Sequence, residues 1–197
     1  MKKIFALAVA AVFALSASAQ QEKGSWSITP RAGINVSTLS GDGSDIYTSK
    51  VGFVGGADVT WQILKPFAVS AGVFYSQMGA NLKDVDNTKH SLDYISVPVM
   101  AHYYFVKGLA VNAGFQYDFN VSSDFKTNDP IIGTTSYSAE PVTLSIPVGL
   151  SYEYQNFIVD ARYNFGVMNI YDNDKVKENV KNYNRGFQFT VGYKIGL

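Results

Sequence analysis

The chain has 197 residues, with 16 basic residues balanced by 16 acidic ones, and it contains no cysteine. The balance leaves no basic excess to bind nucleic acid, and the missing cysteines exclude disulfides and thiolate metal sites. Thirteen Tyr, thirteen Phe and seventeen Gly are many for a helical protein and ordinary for a β-barrel, where aromatics gather at the membrane interfaces.

In chain order, Lys2 and Lys3 precede the apolar run Ile4 to Leu15, and Ala17-Ser18-Ala19 forms a small-residue cleavage site. This reads as a secretory signal peptide over residues 1–19, too short to span a bilayer. No cysteine follows the cleavage site to carry a lipoprotein anchor. The mature chain then has a short periplasmic tail over 20–24 and one domain over 25–197, about 178 residues with a net charge near −2. No later run reaches the roughly 18 consecutive apolar residues of a spanning helix, which leaves a soluble protein or a barrel.

Eight segments then alternate with period 2. On the first, about Ser25 to Leu39, Trp26, Ile28, Pro30, Ala32, Ile34 and Val36 oppose Ser27, Thr29, Arg31, Gly33, Asn35 and Ser37. The next three run about Val51 to Ile63, Phe67 to Ala80 and Leu92 to Phe105. The fifth is the clearest, with Leu109, Val111, Ala113, Phe115, Tyr117, Phe119 and Val121 against Ala110, Asn112, Gly114, Gln116, Asp118, Asn120 and Ser122. The sixth and seventh run about Val142 to Tyr154 and Phe157 to Asn169, and the eighth covers about Gly186 to Leu197. Connections alternate between tight turns at Leu64-Lys65-Pro66, Val106-Lys107-Gly108 and Gln155-Asn156 and four long polar loops near residues 40–50, 81–91, 123–140 and 170–185. Short periplasmic turns and long outer loops, with both termini periplasmic, require an even strand number, and eight satisfies it.

Of 30 mature charges, 19 fall in the long loops or at their strand junctions, two in turns and two in the N-terminal tail. The other seven, Arg31, Asp58, Asp118, Glu153, Asp160, Arg162 and Lys194, lie on the polar face, which leaves none for the apolar one. A cation at the bilayer midplane would cost about 2–4 kcal/mol, so this partition is what lipid exposure selects. A soluble lipocalin barrel would show the opposite polarity. Pro98 and Pro147 fall on the inward face of strands four and six, where bulges or bends are expected. Hairpin-sized repeats support the same reading: Lys65 to Gly72 parallels Lys107 to Gly114, and Ile95 to Val99 parallels Leu144 to Val148.

The tracts Lys50-Val51-Gly52-Phe53-Val54-Gly55-Gly56, Tyr75-Ser76-Gln77-Met78-Gly79-Ala80 and Tyr94-Ile95-Ser96-Val97-Pro98-Val99 resemble the outer-membrane β-barrel domain of Bacteroidetes, the PorT-type or porin family. The resemblance covers essentially the whole mature chain. It implies a barrel of the OmpA and OmpX kind, and it implies the tie to protein secretion that named members have. No catalytic residue or cofactor comes with it.

Six inward charges, Arg31, Asp58, Glu153, Asp160, Arg162 and Lys194, lie on strands one, two, six, seven and eight, and strands one and eight meet at closure. In a lumen just wide enough for side chains they are expected to pair into a network near the periplasmic end. That network reads either as a plug that rigidifies the barrel or as a narrow, gated ion path. At the C-terminus, Phe189, Val191, Tyr193, Ile195 and Leu197 resemble the terminal-strand signal read by the barrel-assembly machinery, with Leu197 in place of the usual aromatic. His90 with Asp84, Asp86 and Asp93 is the one rim cluster that could suggest catalysis, and a solvated loop explains it equally well. His102 is expected to be a hydrogen-bonded interior residue. Asp42-Gly43-Ser44-Asp45 and Asp172-Asn173-Asp174 lack the Gly and distal Glu of a calcium loop.

The expectation is therefore an all-β, eight-stranded antiparallel up-and-down transmembrane β-barrel, monomeric, in the cell outer membrane. Its partners are outer-membrane lipid, the assembly machinery during biogenesis and other envelope proteins, with no nucleic acid and no cofactor. Loop four, with Asp172, Asp174, Lys175, Lys177, Glu178 and Lys181, is the most charged contact surface. The expected function is a non-enzymatic envelope scaffold with a closed lumen. Alternatives are a small passive porin-like channel and a PorT-like secretion accessory.

Overall fold

The computed structural model describes residues 22–41, 47–82, 89–126, 141–168 and 182–197. The signal peptide expected over residues 1–19 lies outside the described residues. So do Asp84 and Asp86 of the rim cluster, the two acidic loop motifs and the charged part of loop four.

Eight long strands follow one another: β1 (Trp26–Gly41), β2 (Tyr47–Leu64), β3 (Phe67–Leu82), β4 (Lys89–Val106), β5 (Leu109–Lys126), β6 (Val142–Tyr154), β7 (Phe157–Gly166) and β8 (Asn182–Tyr193). After Lys194 the last strand resumes as a two-residue β9 (Ile195–Gly196). Each strand pairs antiparallel with its sequence neighbour. β1 also pairs with β8 and β9, which closes the sheet into an eight-stranded barrel. Three two-residue turns, the start of β1 and the end of β9 lie at one end, and the strand ends that lead into the four longer connections lie at the other. In the turn after β4, Gly108 sits at φ +80°, left-handed backbone that glycine adopts without a Cβ penalty.

The two faces separate by environment as well as by sequence. Trp26, Ile34, Val111, Phe115, Tyr117, Phe187, Phe189 and Val191 are exposed, while Ser27, Thr29, Asn35, Asn112, Gln116, Gln188 and Thr190 are buried. An apolar face turned out and a polar face turned in is stable only where the surroundings are lipid. Aromatics rim the band: Trp26 stacks on Trp61 with centroids 5.5 Å apart, and Phe157 meets Tyr193 edge-on at 5.3 Å. Among the described residues, charges outside the inner set stand at the loop-end rim. Asp93 accepts from the outward Tyr75 hydroxyl at 2.8 Å, and Arg185 of β8 is exposed. Charge at the rim costs only about 0–1 kcal/mol.

Several strands run further than the apolar pattern predicts. β2 begins at Tyr47 rather than Val51, β4 at Lys89 rather than Leu92 and β8 at Asn182 rather than Gly186, and β5 continues to Lys126 rather than Ser122. Apolarity marks the lipid-facing band, whereas a hydrogen-bonded ladder continues wherever two backbones stay paired. β7 instead stops at Gly166, short of Asn169, as its pairing with β8 ends at Phe165↔Arg185.

Pro98 and Pro147 point inward but cause no bulge. The β3–β4 ladder holds one register from Ala71↔Val99 to Phe74↔Ser96, and the β5–β6 ladder one register from Ala113↔Val148 to Gln116↔Ser145. In each case two pairs drop out where the proline has no N–H, and the strand runs on. The bulges lie elsewhere, between Ser49 and Val54, Gln62 and Leu64, Asp93 and Tyr94, and Tyr104 and Val106.

The lumen is less uniformly polar than expected. Val54, Phe74, Met78, Met100, Tyr94, Tyr104 and Ile158 are buried inside it with the polar set. A barrel this narrow must fill its interior with side chains, and small inward residues make the space. A Cβ on Gly56 or Gly72 would strike the Phe74 ring, and one on Gly192 would strike the Arg31 side chain.

Candidate functional site

The candidate site is the charged layer in the turn-end half of the lumen. The strands aim the side chains inward, and the turns then fix them. At the first turn, buried Gln62 donates from Nε2 to the Leu64 carbonyl at 2.7 Å. The Glu153 N–H donates to the Gly108 carbonyl of the β4–β5 turn at 2.7 Å. The break between β8 and β9 is bridged by Asn156 of the β6–β7 turn. Its side chain donates to the Lys194 carbonyl at 2.8 Å, and its own carbonyl accepts the Lys194 N–H at 2.6 Å. These ties hold Glu153 and Lys194 facing each other.

All six expected network residues are inside, between 1 and 7 % exposed. They form two groups rather than one. Lys194 Nζ lies 2.8 and 3.0 Å from the two Glu153 carboxylate oxygens, and the Tyr104 hydroxyl donates to Glu153 at 2.5 Å. The second group is a chain of four. Arg31 Nε lies 2.5 Å from Asp58 Oδ2, Arg31 Nη1 lies 3.9 Å from Asp160 Oδ2, and Arg162 Nε donates to Asp160 Oδ1 at 2.6 Å. Thr60 adds a hydroxyl to Asp58 at 3.2 Å, and Asn112 donates to Asp160 at 3.1 Å. Each group sums to zero charge, which is the condition for burying ions in a narrow, water-poor space.

His102 joins this layer as a connector. One ring nitrogen is 2.8 Å from the Ser70 hydroxyl and the other 2.8 Å from Asn112 Oδ1, and Asn112 leads on to Asp160. Serine, imidazole and an amide oxygen in line resemble a nucleophile with its base and orienting group. Here all three are buried, and neither Ser70 nor His102 lines a described cavity.

Asp118 lies apart from both groups. It borders a small cavity in the loop-end half of the lumen, together with Asn35, Ser37, Met78, Ser145 and Asn164. None of the six plug residues lines that cavity. The bulky inward residues Phe74 and Met100 were missed by the strand patterns. The signal that finds Phe74 is the glycine two positions before it, Gly72. Phe189, Val191, Tyr193, Ile195 and Leu197 all stand exposed on the outer face at the closing seam.

A closed antiparallel sheet with a lipid-facing exterior and a polar, ion-paired interior defines an outer-membrane β-barrel. The chain belongs to the family described as outer membrane protein beta-barrel domain, whose model matches residues 18–172. No curated protein sequence matches the chain. Among solved structures, Neisserial surface protein A is similar with a TM-score of 0.51 at 14% identity, over 88% of this chain and 98% of that one. OprG of Pseudomonas aeruginosa gives 0.51 at 13% identity, over 92% and 99%. Ail, the attachment invasion locus protein of Yersinia pestis, gives 0.50 at 16% identity, over 88% and 100%. At these identities the likeness is one of fold. The protein is an outer-membrane β-barrel of this small type.

Proposed function

We propose that this barrel is a non-enzymatic envelope scaffold, monomeric, with its turn end and both termini in the periplasm and its loops outside. The observation that carries the reading is the pair of charge-neutral groups across the turn-end lumen. Asp58–Arg31–Asp160–Arg162 and Glu153–Lys194 are buried, with hydroxyl and amide donors supplied to their carboxylates. Such a layer resists ion passage, since opening it would separate paired charges in a low-dielectric space. Work is then left to the surfaces, the loops and the periplasmic rim, where other envelope proteins would bind. The resemblance to PorT-type proteins makes secretion one setting for such contacts. The exposed alternation from Phe189 to Leu197 serves the assembly machinery on the same reading.

The deciding experiment is single-channel recording of the purified, folded barrel in a planar bilayer. A silent membrane, with folding verified by heat-shifted gel mobility, is the expected result. Stable steps that change when Arg162 or Asp160 is neutralised would overturn the scaffold reading in favour of a passive channel.

A further inference from the structure

Of the seven charges that the sequence pattern places on the inner face, six have a partner of opposite sign, and Asp118 is the seventh. Its carboxylate accepts from Ser96 Oγ at 2.5 Å, Gln116 Nε2 at 2.8 Å and Ser145 Oγ at 3.1 Å, all neutral donors. No ion pair to Asp118 occurs among the described residues. A carboxylate 4 % exposed with only neutral donors keeps its charge uncompensated in the lumen.

The cavity that Asp118 borders is rich in further acceptors. Asn35 donates from Nδ2 to Ser76 Oγ at 2.8 Å and to the Gln77 carbonyl at 3.2 Å. A carbonyl can only accept, so the amide orientation is fixed and Oδ1 is the free end. Asn164 uses its Nδ2 on Gln188 at 3.3 Å, and Asn184 uses its own on the Met78 sulfur at 3.1 Å. The Oδ1 atoms of all three are buried without a partner among the described residues, and all three residues line the same cavity. One orphaned acceptor is ordinary. Three of them, from β1, β7 and β8, facing one cavity with an uncompensated carboxylate from β5, make a set in which every free group is an oxygen acceptor. Oxygen-only donors with a single negative charge suit a hard cation and discriminate against soft metals. The cavity, about 20 Å³, holds one or two such particles.

We propose that the loop-end vestibule is a binding site for a hard, partly hydrated cation of the calcium class. Asp118 is its charged ligand, and Asn35, Asn164 and Asn184 supply amide oxygens directly or through water. One cationic side chain limits its affinity. Lys50 donates to the carbonyl of Met78, a residue lining the cavity, at 3.2 Å. With one carboxylate against it, the dissociation constant falls in the weak class of extracellular calcium modules, about 10⁻⁴–10⁻³ M. The vestibule lies on the opposite side of the lumen from the plug, so the site stands whether or not the plug conducts.

The test uses the full folded barrel in zwitterionic micelles, with terbium luminescence as the probe and calcium chloride as competitor. Expected is a saturable signal displaced by millimolar calcium, weakened about tenfold or more in Asp118→Asn as the one ligand charge is removed. Asn164→Ala, which leaves the Asp118 hydrogen bonds intact, should weaken it several-fold. A variant with Asp42, Asp45, Asp172 and Asp174 all changed to Asn should bind as the parent does. No displaceable signal in the parent overturns the proposal. So does binding unchanged in both Asp118→Asn and Asn164→Ala, or binding lost only in the loop variant. If Asp118→Asn fails to give the heat-shifted band of a folded barrel, Asn164→Ala decides alone.

Discussion

Replacing Arg162 with Ala isolates the energetics of the plug. Asp160 is 1 % exposed and receives Arg162 Nε at 2.6 Å and Asn112 Nδ2 at 3.1 Å, with Arg31 Nη1 further off at 3.9 Å. Without Arg162 the carboxylate keeps one neutral hydrogen bond and a guanidinium already committed to Asp58. Breaking a buried pair from one side costs about 3–5 kcal/mol, and the residual attraction of Arg31 places this site near the lower end, about 3 kcal/mol. With a guanidinium slope of about 4 kcal/mol per molar, the unfolding midpoint should fall by about 0.7 M. The assay is guanidinium titration of the barrel in phospholipid vesicles, followed by tryptophan fluorescence. The chain has only two tryptophans, Trp26 and Trp61, and they stack together at the turn end, so the signal reports locally on closure there. Membrane insertion should be retained. The Asp160→Ala/Arg162→Ala double variant should be more stable than the sum of the singles by about 1–3 kcal/mol. A midpoint shift under about 0.1 M, or strict additivity, would refute the pairing argument.

Four further outcomes follow from the geometry. Lys194→Met leaves Glu153 with the Tyr104 hydroxyl and should destabilise by about 3 kcal/mol, with Glu153→Gln in the same chain restoring most of it in the same titration. Ala113→Lys, in the apolar band, should cost about 2–4 kcal/mol in vesicles, whereas Val121→Lys near the loop end should cost about 0–1 kcal/mol; equal penalties would mean the band is misplaced. Gly192→Val would press a side chain into Arg31 and the Pro30 carbonyl, so its melting temperature should drop, and a parental melt would show that the seam has slack. Deleting Tyr193 to Leu197 should abolish outer-membrane insertion in cells, read by fractionation and heat-shifted mobility, and normal assembly would remove the terminal-strand signal from consideration.

The inward and outward faces were legible because lipid permits no exceptions near the midplane, so each of Ser27, Thr29, Arg31, Asn35 and Ser37 on β1 could be placed inside from alternation alone. Strand ends were not, since Tyr47 to Ser49 and Ser123 to Lys126 pair by backbone beyond the reach of any apolar signal. The set of inward charges was likewise readable, but its division was not. Whether Lys194 serves Glu153 or Asp160 depends on register across three strands, and no spacing along one strand encodes that. Phe74 and Met100 sit inside against their chemical type because the interior must be filled, a demand of three-dimensional volume. Pro98 and Pro147 were placed on the correct face, yet the backbone absorbs each as two missing rungs instead of a bulge.

The seam between β1 and the last strand bears on how the barrel comes into being. Ser27 pairs with Gly196 and Gly41 with Asn182, so the first strand to be synthesised waits for the last. Until then the sheet has two open edges, each a row of N–H and C=O groups that hydrocarbon cannot solvate. Every such group stranded in lipid costs several kcal/mol. A half-rolled sheet therefore cannot rest inside the bilayer as an intermediate. Either the two edges are shielded by another protein until they meet, or rolling up and entering the membrane are a single event.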